Sequence, residues 1–157
     1  MKRILRLIGF IALPFAAGAL GSYFTYPNIE GWYSQLSKPA FSPPNWVFGP
    51  VWSLLYVLMG AASYRIFSKG LKNGEVKKGL VYYGIQLGLN SIWSIVFFGM
   101  KELGLAFVIM VALWIFIYLT IDKFMKIDRL AGMMLLPYIF WVSFAAFLNL
   151  SVYLLNR

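Results

Sequence analysis

Three groups of side chains recur at helical spacing and share one chemical character. Phe48, Trp52, Tyr56 and Met59 fall on one face, and Gln86, Asn90, Trp93 and Phe97 on a second. Tyr138, Trp141, Ala145 and Asn149 make a third, just after Pro137. Each face sets large flat rings beside one or two hydrogen-bonding groups. Such rings stack on a planar partner, and the amides and hydroxyls can bond its polar edges. Other chemistries have little to work with. The chain has no Cys and no His, so it offers no thiolate, disulfide, iron–sulfur or zinc-ribbon ligand set and no imidazole base. No metal site and no required cofactor are expected. The carboxylates are Glu30, Glu75, Glu102, Asp122 and Asp128, and none lies within the long apolar stretches. A proton- or ion-coupled carrier normally keeps an ionisable residue inside a span, so that class is disfavoured.

The elements that must position these faces follow from hydropathy. The chain is 61% apolar and 12% charged over 157 residues, whereas soluble domains average about 45–50% and about 25%. Uncharged stretches cover 7–29, 39–64, 79–100, 103–121 and 130–156. A helix needs roughly 20 apolar residues to cross the hydrocarbon core. The expected fold is therefore an all-α integral membrane protein, a five-transmembrane-helix bundle forming a single membrane domain over residues 1–157. Its spans are expected at about 4–26, 45–68, 79–98, 103–124 and 130–155, from periodicity and turn residues. Residues 27–44 are the longest connection. Pro43 and Pro44 suit a helix start, which puts the second span's beginning near Asn45. The short link at Lys101–Glu102 makes spans three and four antiparallel neighbours.

The net charge of +9 invites a nucleic-acid reading, but its distribution is topological. The N-terminus, the second connection and the fourth hold 11 of the 14 basic residues. They share one side of a five-span bundle, which the positive-inside bias assigns to the cytoplasm. That gives a cytoplasmic N-terminus and an outside C-terminus, with the inner (cell) membrane of a bacterium as the expected site. No nucleic-acid partner is expected, because the basic residues are scattered along loops. The first 24 residues also have the parts of a signal peptide. Their uncharged run continues through Tyr23, Phe24 and Tyr26, however, too long for a cleaved segment and long enough to span.

Two uses fit the aromatic–amide faces. One is interhelical packing, with amides bonding across helices for roughly 0.6–2 kcal/mol each. The other is a pocket for a flat, mostly apolar ligand with a few polar edges. In both, Gln86, Asn90 and Asn149 must point into the bundle, since unpaired amides are costly in lipid. Trp46, Tyr82 and Tyr83 read as interfacial belt residues. Gly9, Gly18 and Gly21 permit close helix approach, and Gly84 with Gly88 forms a small-xxx-small pair for dimerisation or for packing within the bundle.

The segment Trp32-Tyr33-Ser34-Gln35-Leu36-Ser37-Lys38-Pro39, followed by Phe41-Ser42-Pro43-Pro44-Asn45-Trp46-Val47-Phe48 and Val51-Trp52, resembles the signature of the TspO/translocator protein family, the tryptophan-rich sensory proteins or peripheral-type benzodiazepine receptors. Gln86-Leu87 with Asn90, Trp93 and Phe97-Phe98-Gly99 resembles its third-helix motif. Pro137-Tyr138, Trp141, Phe144-Ala145 and Leu148-Asn149 resembles its fifth.

The resemblance implies a membrane receptor, a homodimer, that binds porphyrins such as protoporphyrin IX, along with isoquinoline carboxamide or benzodiazepine-type drugs. It implies a pocket beneath the first connection, so that residues 27–44 cover it. The implied lining is Trp32, Tyr33, Trp46, Phe48, Trp52, Tyr56, Asn90, Trp93, Trp141, Ala145 and Leu148. Gln86, Phe97 and Tyr138 join that list from the helical faces. Some relatives resemble light-dependent porphyrin-degrading catalysts, and Trp52 with Trp141 would then be the catalytic pair. Porphyrin transport is a third function. The lack of an internal repeat or a charged pathway argues against its active form. Lys38, the Tyr33 hydroxyl and indole N–H groups are expected to meet porphyrin carboxylates, and the absence of His and Cys favours a metal-free porphyrin. Leu150 stands where the family's sterol motif has a Tyr, and only the loose match of Leu148, Tyr153 and Arg157 remains, so sterol binding is not expected.

Overall fold

The computed structural model describes all residues from Met1 to Arg157. It is all-helical. The helices are α1 (Lys2–Ile29), α2 (Phe48–Phe67), α3 (Gly74–Ser94), α4 (Leu103–Ile127), α5 (Arg129–Met134) and α6 (Leu136–Leu155). A π-helical turn, Ile95–Gly99, extends α3. With α5 and α6 counted together, five helical segments are long and apolar enough to cross a membrane.

The helix ends have local causes. α1 runs through Pro27, three residues past the end expected from sequence. Thr25 and Asn28 return side-chain bonds to the Gly21 and Phe24 carbonyls (2.9 and 2.8 Å), which keeps that last turn wound around the proline. α3 begins at Gly74 rather than near residue 79, because Asn73 caps it by accepting the Glu75 N–H at 3.0 Å. Its first turns carry Lys77 and Lys78, whose stems can lie along the helix while their ammonium groups reach water. α4 continues to Ile127. There Asp128 turns extended and caps α5 through the Leu130 N–H. The fifth span breaks at Leu135, two residues before Pro137, which has no N–H to continue the α5 ladder. The second span opens with a 3₁₀ turn, Asn45–Val47, directly after Pro44.

α3 packs most extensively on α4. α1 lies against α2 and α3, and α6 lies against α4. Helices in lipid gain little from apolar burial, so close backbone approach and van der Waals contact must hold them. Gly60 shows this directly: a Cβ there would stand 2.4 Å from the Ile11 Cα. Gly18 lies similarly close to the Tyr56 ring, and Gly21 to Ser94. Gly9, expected to act likewise, meets nothing within 4 Å. The packed core centres on Met59, Ala62, Ile66, Tyr83, Leu113, Ile117 and Phe124. Tyr83 therefore is no interfacial residue. It is 3% exposed and stacks on Phe124 at 6.1 Å.

Candidate functional site

Four helices separate toward the end that carries the first connection, leaving a cavity of about 520 Å³ among α1, α2, α3 and α6. That is within the range of small-molecule sites, roughly 300–1,000 Å³. Chain direction gives its depth. The deepest wall residues are Phe15 on α1, Tyr56 on α2, Asn90 on α3 and Trp141 on α6. Phe15 and Tyr56 meet edge-on at 5.3 Å and form the floor. Phe48 and Trp52 stand above Tyr56 at helical spacing. Trp93 and Phe97 rise above Asn90, and Ala145 and Leu148 above Trp141.

The amides hold this wall rather than filling it. Asn90 donates to the Tyr138 hydroxyl at 3.0 Å, and that hydroxyl donates to Gln86 Oε1 at 2.5 Å. Trp93 Nε1 donates to Asn149 Oδ1 at 2.9 Å, while Asn149 Nδ2 donates to the Leu103 carbonyl at 3.0 Å. One residue thus ties three spans and fixes the Trp93 indole. Trp141 differs, because its Nε1–H is buried without a protein partner. A buried donor without an acceptor carries a desolvation penalty of about 1–3 kcal/mol. Trp141 lines the cavity through its ring, while its Nε1–H has no surface open to that space.

The mouth is built by the first connection and the π turn. The extra residue of that turn places Phe97 and Phe98 side by side at 4.7 Å, and both face Tyr33 (6.1 and 5.6 Å). Tyr33 is 5% exposed, and burial pushes its phenol above the usual tyrosine range. It therefore stays a neutral donor near neutral pH. The connection is pinned at one point by Asn156, which accepts the Ser37 N–H at 3.0 Å and donates to the Ser37 carbonyl at 2.8 Å. Trp46 stands 74% exposed at the rim.

The structure brings together Tyr33, Trp46, Phe48, Trp52, Tyr56, Asn90, Trp93, Phe97, Trp141, Ala145 and Leu148 around one cavity. Three residues named with them lie outside its wall. Trp32 packs behind Tyr33's neighbours, edge-on to Phe97 at 5.8 Å. Gln86 and Tyr138 are 1% exposed and serve as the hydrogen-bonded support for Asn90. Lys38 also misses the wall, because its ammonium sits over the Tyr33 ring at 4.6 Å. Sequence reasoning missed the α1 side entirely: Phe15, Gly18, Ala19, Ser22, Thr25, Tyr26 and Ile29. The available signal was the small and hydroxyl residues at helical spacing in an otherwise apolar span, which read as packing alone.

Residues 10–155 match the TspO/MBR family. The tryptophan-rich protein TspO of Chlorobaculum tepidum is 43% identical over 155 residues, covering 99% of this chain and 98% of that protein. The tryptophan-rich sensory protein of Cereibacter sphaeroides is 34% identical over 147 residues, with coverages of 94% and 90%. The human translocator protein is 34% identical over 149 residues, covering 93% of this chain and 87% of its own.

Proposed function

This chain belongs to the TspO/MBR family and is an integral membrane protein, and on that premise we propose that its cleft is a receptor site for porphyrins. Protoporphyrin IX is the proposed ligand, and isoquinoline carboxamide or benzodiazepine-type drugs are smaller occupants. The observation that carries the reading is the wall itself: indole and phenol rings from α2, α3 and α6 line one cavity of about 520 Å³ with few polar groups. A planar π-system gains from edge and face contacts with such rings, about 0.5–1.5 kcal/mol per aromatic pair beyond burial. The Tyr33 ring borders the cleft at its mouth, so its hydroxyl is the donor proposed for a polar edge of the ligand. Lys38 would have to leave the Tyr33 ring to meet a carboxylate, so carboxylate recognition rests first on Tyr33.

The test is a titration of purified protein with protoporphyrin IX in the dark. Saturable quenching of tryptophan fluorescence is expected, and its absence would refute the reading. A second reading has a specific support, since Trp52 and Trp141 both stand in the wall. Their oxidisable indoles would serve light-dependent breakdown of the bound porphyrin with dioxygen as oxidant. Illumination then bleaches the bound porphyrin, and Trp52→Phe combined with Trp141→Phe abolishes bleaching more than binding. Bleaching that persists in that variant removes the enzyme.

Charge bias supports an N-terminus in the cytoplasm and a C-terminus outside the cell membrane. The proposed homodimer has a candidate face on α3. Gly84 and Gly88 are exposed, with nothing within 4 Å of where a Cβ would stand.

A further inference from the structure

The opposite end of the bundle holds a second recess that the proposed receptor function does not use. It is open and about 810 Å³ in volume, and it lies between the first turns of α1, the end of α2 and Asp128. Arg3, Arg6, Arg65 and Lys69 line it, with Asp128 the one carboxylate in its wall. We propose that this recess binds a phosphate group, carried either by the headgroup of an anionic membrane lipid or by free phosphate.

Three observations converge on an anion there. The cations outnumber the carboxylate four to one, so the recess has an uncompensated positive field. Asp128 spends one oxygen on Arg65 Nε (2.8 Å) and the other on the Leu130 N–H (3.2 Å), which leaves Arg65's terminal N–H groups as free donors. Helix α1 also borders the recess, through Arg3 and Arg6. It has no acidic residue in its first turn and no side-chain cap. Arg3 and Arg6 are therefore not offset by any carboxylate of their own helix turn. The negative end of α2 is muted, because the Ser68 hydroxyl and the Ser68 and Lys69 N–H groups already bond its last carbonyls. Arginine is suited to phosphate oxygens because its planar fork donates two parallel bonds.

Tyr64, Phe67 and Leu71 give the recess an apolar part. Phe10, one helical turn beyond Arg6, packs on Tyr64 and Phe67 at 5.8 and 5.0 Å. A phosphodiester would sit among the guanidinium groups with an apolar body against these rings and against the exposed Leu71. A lipid at the membrane boundary satisfies both halves.

The experiment uses the full chain, purified in neutral detergent and followed by native mass spectrometry. Phosphatidylglycerol, phosphatidylcholine and inorganic phosphate are titrated in separate arms. Phosphatidylglycerol is expected to bind at least tenfold more tightly than phosphatidylcholine. Arg3→Gln with Arg6→Gln is expected to weaken it about 25-fold, since each arginine near the surface contributes about 1 kcal/mol, or roughly fivefold. Asp128→Asn keeps a side-chain oxygen for the Leu130 N–H and all the basic residues but removes the competing charge, so affinity should rise severalfold. Arginine-dependent binding of inorganic phosphate alone supports the phosphate site and assigns a soluble source. Equal binding of the two lipids together with no phosphate binding overturns the proposal. So does an affinity indifferent to both variants.

Discussion

The two halves of this bundle use the same helices to opposite ends. Toward the N-terminal end, α1 and α2 close until Gly60 touches the Ile11 backbone, Tyr83 stacks on Phe124, and Met59, Ala62 and Ile66 are fully buried. Toward the first connection, the same α1 and α2 stand apart around a cavity walled by rings. Small residues permit the first arrangement. Bulky rings braced by amide bonds hold open the second. Tyr138 lies at the boundary: its ring belongs to the packed core, while its hydroxyl joins Asn90 of the cleft to buried Gln86. The difference is that in the hollow half the bulk of the rings separates the helices, while hydrogen bonds from Asn90 and Asn149 fix the side chains of its wall.

Substitutions can separate the halves, and the largest effect belongs to the packed one. Gly60→Val should prevent the α1–α2 contact, because its Cβ would overlap backbone that cannot move aside. Overpacking of this kind destabilises by about 1–3 kcal/mol or more. Thermal unfolding in detergent should show a large fall in Tm, while Gly9→Ala, with open space around it, leaves Tm unchanged or slightly raised. Equal Tm values for the two variants would erase the distinction drawn between them.

Tyr138→Phe should come next. It strands Asn90 Nδ2 and Gln86 Oε1 and costs about 1–3 kcal/mol. Although Tyr138 is absent from the cleft wall, porphyrin affinity should fall with stability, since Asn90 loses its brace. A stable variant with unchanged binding would mean that the cleft holds its shape without the relay.

Trp141→Phe sharpens the comparison from the other side. No hydrogen bond within the protein is lost, so Tm should change little. Porphyrin affinity should drop severalfold, because the smaller ring keeps only part of a stacking contact that is worth about 0.5–1.5 kcal/mol for a full aromatic pair. Dark fluorescence titration measures this, with Trp52 and Trp93 as remaining reporters.

The smallest effect is electrostatic and confined to the N-terminal end. The Arg65 guanidinium beside Asp128 holds its carboxyl below the ordinary value of 3.8. A depressed folded-state pKa contributes stability that is complete above that ordinary value and lost as pH falls through the folded one. Arg65 is 43% exposed, so the pair contributes no more than about 1 kcal/mol. Acid titration of Tm should show a small step below the ordinary aspartate range that vanishes in Asp128→Asn. The cleft should be insensitive over the same window, because it has no carboxylate in its wall.

Much of this was legible residue by residue. Trp52, Tyr56, Asn90, Trp93 and Trp141 share a cavity because helical periodicity puts them on inward faces, and periodicity is local. The roles within that set were not legible. Gln86 and Asn90 have the same spacing to their neighbours, yet one supports and the other lines, because only the position of α6 decides where the Tyr138 hydroxyl falls. Lys38 was expected at a ligand's rim and lies on the Tyr33 ring instead, a contact set by how the first connection folds over the π turn.

The chain's hydropathy, charge pattern and motif spacing determined by themselves that it is a five-span membrane protein of a recognisable family with inward aromatic faces. These properties are written in periods of a few residues and in stretches as long as the bilayer is thick. Only the tertiary structure decided that α1 forms a wall of the cleft, that Trp141 keeps an unused donor, and that four cations gather at the far end. Those depend on the distances between helices, and such distances emerge from which glycines meet which backbones across the bundle.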